Sequence, residues 1–370
     1  MEKLRIGIAH GDVNGIGYEL IIKMLSDNKI CELFTPVLFG SSKIAAYYRK
    51  SMKVDNFSLN NIQKPQDANK KRCNVINCIN DEVKVEPGVE TKESDEAAMT
   101  ALRQGLDAVS SRKVDVLVAA PQRVSSYCVE GTSGCQDYLS KYFDVNNIMP
   151  FLIGEKVKIG FVSCYTPFNK IMQEITRENI VNKIKIMEYS LINDFMIEKP
   201  RIAVLSLNPY IGKGHKFGNE EYDVIIPSIE SARELGIMAL GPYNADQIFK
   251  NMDYSKFDAV LALYHDQGMI PFKSIEGNRG VMLMAGLPYV ITTTVHGTAY
   301  DIVTQNKGDE TALRNAAYVA IDVYRNRQIN KEINANPLSH YDVSSNTNET
   351  DLNVEQIAGV RDDYVEEDTL

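Results

Sequence analysis

The stretch Ala259-Val-Leu-Ala-Leu-Tyr-His-Asp-Gln-Gly-Met-Ile-Pro-Phe-Lys273 decides how this chain is read. Ala259 to Leu263 is an unbroken apolar run, the pattern of a strand buried on both faces. It ends on Tyr264-His265-Asp266-Gln267-Gly268, where an imidazole, a carboxylate and an amide meet a glycine that permits a sharp turn. Ligands of open α/β sheets bind outside the carboxyl ends of the strands, so chemistry is expected here. With Lys273 close behind, after a Pro-containing turn, His and Asp at the end of a buried strand suit metal or phosphorylated-substrate binding. A capping Asp266 and a surface Lys273 after an ordinary strand would leave the same trace.

Working outward, apolar strands alternate with amphipathic helices, which predicts an α/β fold. Leu4 to His10 reads as a strand, followed by the Gly-rich turn Gly11-Asp-Val-Asn-Gly-Ile-Gly17. Its spacing is not that of a dinucleotide-binding G-x-G-x-x-G. Further strands are expected at Thr35–Phe39, Cys73–Asn77 and Val114–Ala120, with helices from Ser42 and over Glu93–Ser111. Phe151–Ile153 and Lys158–Ser163 lie four residues apart and predict an antiparallel hairpin, a second subdomain or an arm for dimerisation. Helices follow over Arg177–Phe195, Pro227–Leu235 and Ala245–Met252. Strands at Arg201–Ser206, Val281–Gly286 and Tyr289–Thr293 and a last helix ending near Arg327 complete the body.

Composition narrows the class. With 370 residues, 44% apolar and 24% charged, the chain suits a globular protein with room for two domains. No run approaches the ~18 apolar residues of a membrane span, and no signal-peptide core is seen near Met1. The six cysteines are scattered without zinc spacing and read as reduced thiols of a cytoplasmic protein. From Leu338 onward nine acidic residues face one basic residue. That tail, rich in Asn and Ser and expected to be disordered, holds all but one of the nine net negative charges. Neither part offers a basic surface for nucleic acid.

Taken together, Gly11-Asp12, Gly15-Ile-Gly17, Glu19, Leu207-Asn-Pro209, Gly241-Pro242, Ala245-Asp246, Tyr264-His-Asp-Gln-Gly268, Gly286-Leu-Pro288 and His296-Gly-Thr-Ala299 resemble the 4-hydroxythreonine-4-phosphate dehydrogenase family of pyridoxal-phosphate biosynthesis. The resemblance runs from about residue 4 to 329. It implies an isocitrate/isopropylmalate-dehydrogenase-like α/β fold of two α/β/α domains with a cleft between them. The first domain would comprise residues 1–125 and 290–337, and the second, with a dimerisation arm, residues 126–289. It further implies a homodimer, NAD, a divalent metal (zinc, magnesium or cobalt), and a small phosphorylated hydroxy-amino-acid substrate that is oxidised and decarboxylated.

Carried over residue by residue, the family's third metal-binding His falls on His265, and the acidic residues near it on Asp246 and Asp266. The first metal-binding His falls on Tyr165 and the second on Tyr210. The family's Gly-His-Thr-Glu motif falls on Gly134-Cys135-Gln136-Asp137, and its Pro-x-Asn-Lys on Pro121-Gln122-Arg123-Val124. Lys273 matches a substrate-binding, catalytic Lys, while the substrate Asn and Arg fall on Met282 and Ile291. Nucleotide contact is implied for His296, Gly297, Thr298, Ala299 and Asp301. Gly11-Asp12 reads as a structural turn, Cys135 as a free buried or semi-buried thiol, and His10 and His215 as structural or solvated. Ionising one phenol at pH 7 costs about 3 pKa units, roughly 4 kcal/mol, which weighs against metal binding by Tyr165 and Tyr210. The phenols would then fill volume left by the metal and its imidazoles. Three functions compete: the family's NAD-dependent reaction, the same chemistry on an altered substrate, and a non-catalytic binding or regulatory paralogue.

Overall fold

Side chains alternate between two apolar clusters, and that alternation sets the architecture. Val116 and Val118 enter one cluster and Leu117 and Ala119 the other, because successive residues of a strand face opposite sides. The computed structural model describes residues 3–336 apart from 28, 81 and 130; the acidic stretch from Leu338 lies outside them.

The chain runs through β1 (Arg5–Ala9), α1 (Gly17–Ser26), α2 (Ile30–Leu33), β2 (Thr35–Gly40), α3 (Ser42–Ser51), β3 (Asn60–Asn61) and β4 (Asn74–Asn77). It continues with α4 (Lys92–Ser110), β5 (Val116–Ala119), α5 (Cys135–Phe143), β6 (Met149–Ile153), β7 (Lys158–Phe161), α6 (Ile171–Glu174) and α7 (Arg177–Asn193). Then come β8 (Ile202–Leu205), α8 (Ile226–Glu234), β9 (Ala239–Tyr243), α9 (Ala245–Lys250), β10 (Ala259–Ala262), α10 (His265–Glu276), β11 (Val281–Ala285), β12 (Ile291–Thr294) and α11 (Thr311–Ile333).

Helix starts follow local chemistry. Ser41, Thr91 and Thr176 each accept a backbone N–H in the first turn of α3, α4 and α7, satisfying donors that a helix leaves free. Ile180, Ile184, Met187 and Leu191 of α7 join Leu20 of α1 and Leu313 and Ala316 of α11 on one face of the sheet. Leu102, Leu106 and Val109 of α4 join Met269 and Phe272 of α10 on the other.

Among the described residues the strands form one twelve-stranded sheet, ordered β3-β4-β2-β1-β5-β12-β11-β6-β7-β10-β8-β9. From β3 to β12 every pair is parallel. β11 pairs antiparallel with both β12 and β6, and β6 antiparallel with β7. β7, β10, β8 and β9 are again parallel to one another. The net reversal means that β7 to β9 run opposite to β1, β5 and β12. The carboxyl ends of the two parallel blocks therefore open on opposite edges of the sheet.

Three expectations need correction. Gly268 does not make a turn, and Lys273 does not follow one: both lie in α10, with Pro271 inside the helix. A Cβ at Gly268 would sit 2.6 Å from Phe161 and 2.8 Å from Ile159, so the glycine serves close helix–sheet packing. The β6–β7 hairpin forms as expected, but both strands are buried between β11 and β10, so it is not an arm standing off the body. The last helix continues to Ile333, past Arg327; Lys331 to Ile333 form its final turn.

Candidate active site

Hydrogen bonds Val162 N–H to Ala262 O (2.9 Å) and Ser163 N–H to Leu263 O (3.1 Å) extend the β7–β10 pairing beyond the strands. They bring Cys164-Tyr165 alongside Tyr264-His265. Gln267 clamps this edge: its side-chain oxygen accepts from Leu263 N–H (2.7 Å) and its amide donates to the Ser206 carbonyl (2.7 Å). His265 opens α10, with Nδ1 2.7 Å from Asp266 Oδ1. Its ring centre lies 6.2 Å from that of Tyr165 and 6.3 Å from that of Phe161. Asp246 stands in the first turn of α9 and accepts from the Gln247 amide at 2.8 Å. Parallel pairing of β10, β8 and β9 puts the starts of α10 and α9 and the Leu207–Pro209 segment on this same edge.

The two tyrosines that the resemblance sets at metal positions behave differently. Tyr165 packs against Gly134, where an added Cβ would meet its ring at 3.1 Å. Its hydroxyl lies 3.7 Å from Met282 Sδ. Burial pushes its phenol well above the usual tyrosine range and the Cys135 thiol up to about 12. A cavity of about 60 Å³ remains beside it, lined by residues including Gln136, Asp137, Thr166 and Glu174. Tyr165 thus packs into the body of the protein; Tyr210 does not. Tyr210 is 66% exposed, adopts φ +55°, and lies with its ring 5.6 Å from Phe217. Met282 and Ile291 are 5% and 3% exposed and belong to the apolar core, which leaves no polar group at either position for a substrate. Among the described residues no three His, Cys, Asp or Glu side chains are grouped to hold a metal ion. The residues present therefore do not fit the family's three-imidazole centre.

The opposite edge has a different chemistry. Gly11, at φ +73°, brings the turn after β1 so close to β5 that a Cβ would lie 2.3 Å from the Pro121 carbonyl. That approach buries Asp12, only 1% exposed. Its carboxylate accepts from Asn14 N–H (2.8 Å) and from the Tyr300 hydroxyl, with Arg123 Nε 3.9 Å away. Arg123 also forks onto Asp95, at 3.0 Å through Nε, and reaches Glu90 at 2.6 Å; the Ser126 hydroxyl donates to Asp95 as well. Burial first, and then the hydrogen bond to Asp12, raise the Tyr300 phenol above its usual range.

The His296 loop is joined to this turn: Ile16 N–H donates to the Thr298 carbonyl at 3.0 Å, and Gly15 faces Thr298 so closely that a Cβ would lie 2.9 Å from its oxygen. His296 Nδ1 lies 3.1 Å from the Gly297 carbonyl, while Nε2 is buried without a partner. Burial lowers the imidazole pKa, and the Lys273 cation lowers it further. α10 thus carries His265 at one end and, about 12 Å further along its axis, Lys273 towards the His296 loop.

The residues singled out from the sequence fall into two groups: Tyr165, His265, Asp266 and Asp246 at one edge; Lys273 and His296–Asp301 at the other. Sequence reasoning missed the Arg123–Asp95–Glu90 cluster, although Glu93 and Asp95 in the first turn of α4 mark an acidic helix start. It also missed Glu221, fully buried, which accepts the N–H groups of Leu207 (2.8 Å) and Asn208 (2.6 Å) and so shapes the segment before Tyr210. A glutamate in a polar run gives no local sign of that burial.

This arrangement is a known α/β dehydrogenase fold. The chain superposes on the crystal structure of 4-hydroxythreonine-4-phosphate dehydrogenase from Klebsiella pneumoniae with a TM-score of 0.74 and 24% identity, covering 87% of this chain and 100% of that one. Residues 32–320 match the family model of pyridoxal phosphate biosynthetic protein PdxA. The chain is 42% identical over 340 residues to the 4-hydroxythreonine-4-phosphate dehydrogenase of Bacteroides thetaiotaomicron, spanning 91% of this chain and 93% of that relative. It is 31% identical over 328 residues to the enzyme of the same name from a Sulfurihydrogenibium species, spanning 88% and 100%. The chain belongs to the pyridoxal phosphate biosynthetic protein PdxA family.

Proposed function

We propose that this protein oxidises 4-phosphohydroxy-L-threonine with NAD, the ketone then losing its carboxylate to give 3-amino-2-oxopropyl phosphate. The observation that carries this reading is the 42% identity, over nearly the full length of both chains, to a relative named for that substrate. Relatives of that name favour the dehydrogenase over a binding or regulatory paralogue.

His296, Gly297, Thr298, Ala299 and Asp301 would hold NAD, which when bound supplies the two-electron acceptor. The partnerless His296 Nε2 offers a hydrogen-bonding site, and a Cβ at Gly297 would meet nothing within 4 Å, so the loop has room for a ligand. Lys273, exposed and beside His296, would attract the substrate's anionic groups. His265 would take the hydroxyl proton at Nε2, with Asp266 fixing Nδ1 and steadying the imidazolium; Asp246 would be a second carboxylate at that edge. No step is assigned to a metal, since the residues present do not fit one. Met282 and Ile291 would shape the pocket's apolar wall without binding phosphate; Cys135 and Gln136 would contribute packing and an amide.

The reading includes a cytoplasmic homodimer, with no nucleic-acid or membrane partner and two domains divided at 125/126 and 289/290. The reversal of strand direction between β12 and β11 coincides with the second of these boundaries. Exposed apolar side chains near the His265 edge, Phe168 (81%), Tyr210 (66%) and Ile270 (62%), support a second chain there. Among the described residues no helix is long and apolar enough to cross a membrane.

The test is NADH formation from 4-phosphohydroxy-L-threonine by purified protein, with NAD binding followed by calorimetry. Turnover that falls with His265→Ala, and NAD affinity that falls with His296→Ala plus Asp301→Ala, are expected. NAD binding without any NADH would overturn the activity, and undiminished NAD affinity in the double variant would place the cofactor elsewhere. A monomer of 41.5 kDa in sedimentation velocity at micromolar concentration would refute the dimer.

A further inference from the structure

The most closely placed pair of thiols lies away from both edges described above. Cys31 sits in the single turn of α2, and Cys73 immediately precedes β4. They are 42 residues apart in sequence, yet their sulfurs are 3.6 Å apart, with one thiol hydrogen-bonded to the other. Cys73 is buried in the apolar core and also approaches the Leu25 carbonyl at 3.6 Å. Cys31 is only partly buried, so one member of the pair is open to a small reagent and the other is sheltered.

We propose that Cys31 and Cys73 form a peroxide-sensitive dithiol that closes reversibly to an intramolecular disulfide, independently of the dehydrogenase reading. The two sulfurs need to approach from 3.6 Å to about 2.05 Å. Rotation of Cys31 on its one-turn helix can supply that movement, whereas Cys73 is held by the core.

The surroundings divide the labour. Lys3 reaches the backbone carbonyl of Cys31 through its ammonium group, placing a cation beside this turn. The Cys73 hydrogen bond and the Lys3 charge, working against burial, lower the Cys31 thiol pKa, and the same interaction together with burial raises that of Cys73. Cys31, the accessible member of the pair, is the attacking group once deprotonated, since the thiolate is the nucleophile.

The chemistry balances with hydrogen peroxide as the oxidant. The Cys31 thiolate attacks one peroxide oxygen; an S–O bond forms, the O–O bond breaks, and hydroxide leaves to take up a proton as water. The Cys73 sulfur then attacks the Cys31 sulfenic acid; the S–S bond forms, the S–O bond breaks, and the second water leaves with the Cys73 proton. Two thiols lose two electrons and the peroxide gains them. A thiol reductant reverses the bridge, in keeping with the transient disulfides of reducing compartments.

The bridge would tie α2 to the amino-terminal end of β4, at the opposite end of that strand from the side on which Asp12 follows β1. Its expected effect is to stabilise the first parallel block by closing a 42-residue separation in the unfolded chain.

The experiment treats the full chain with stoichiometric hydrogen peroxide, blocks remaining thiols with N-ethylmaleimide, and maps tryptic peptides without reduction. The expected product is a dithiothreitol-sensitive link between the peptide carrying Cys31 and the one carrying Cys73. Cys78 lies on the same tryptic peptide as Cys73, so fragmentation must place the link at Cys73. The oxidised chain should melt several degrees higher than the reduced one, and Cys31→Ser should abolish that shift. In Cys73→Ser, Cys31 should instead accumulate as a dimedone-reactive sulfenic acid. Should either variant fail to fold, the peptide map of the unaltered chain still decides. Free Cys31 and Cys73 after oxidation, or a link through Cys78 or between Cys135 and Cys164 in their place, would overturn the proposal.

Discussion

The two edges of the sheet are built on opposite principles. Where β1, β5 and β12 end, charges answer charges: Asp12, Asp95 and Glu90 surround one arginine, and Tyr300 closes the group. Where β7 and β10 end, the positions at which the family resemblance implies polar groups carry a half-buried phenol, two thiols whose pKa is raised by burial, and a methionine. A single chain thus keeps a polar, ion-paired edge beside the candidate nucleotide loop and converts part of the other edge into core. Retention of strands and glycines therefore preserves a fold without preserving every ligand that the fold can carry.

The comparison can be broken most forcefully at Arg123. Arg123→Ala removes the partner of a nearly buried Asp12 and of Asp95, and should cost about 3–5 kcal/mol in urea unfolding. A loss below about 1 kcal/mol would show that this edge does not depend on its ion pairs.

Acid tests the same edge through His10, which follows β1, is fully buried, and has no hydrogen-bond partner on either ring nitrogen. Burial lowers its pKa from 6.5 to about 4. The unfolded chain therefore takes up a proton near pH 6.5 that the folded chain refuses until about pH 4. Stability from this group is intact above pH 6.5 and falls as pH drops through that window, by about 3 kcal/mol in all. Unfolding free energies measured from pH 7 to pH 4 should lose most of that slope in His10→Leu. An unchanged slope would assign the acid sensitivity to other groups.

A phenol-to-phenyl exchange compares the edges directly. Tyr300→Phe removes a hydrogen bond to a carboxylate and should cost about 1.5–3 kcal/mol. Tyr165→Phe removes a hydroxyl whose neighbour is a thioether, and should change stability by less than about 0.5 kcal/mol. Equal losses in thermal or urea unfolding would erase the distinction.

Introducing imidazoles at the two tyrosines sharpens the comparison for metal binding. Tyr165→His together with Tyr210→His should raise zinc affinity at least tenfold, about 1.4 kcal/mol. Nanomolar zinc binding by the unaltered chain would mean that the phenols serve as ligands after all.

Much of the fold was legible because its signals are local. The apolar run ending at Leu263 and the stripe Ile180, Ile184, Met187 and Leu191 mark burial within one element, and each forms where the pattern placed it. The reading of Gly268 as a turn failed because close packing against Ile159 and Phe161 leaves no trace in the residues beside it. Pro271 compounded the error, since a proline past the first turn ordinarily argues against a helix, and here α10 accommodates it.

By itself, the sequence determined the α/β class and the family, and set Tyr165 and Tyr210 where the resemblance implies imidazoles. Composition, period and motif order are properties of the chain read in one dimension. Only the tertiary structure decided that Tyr165 is half-buried and Tyr210 exposed, that Arg123 gathers Asp12, Asp95 and Glu90, and that Lys273 lies by His296. Those facts depend on pairings between residues far apart in sequence. The antiparallel junction at β11 and β6 sends the two parallel blocks in opposite directions, and no local preference of the backbone encodes that reversal.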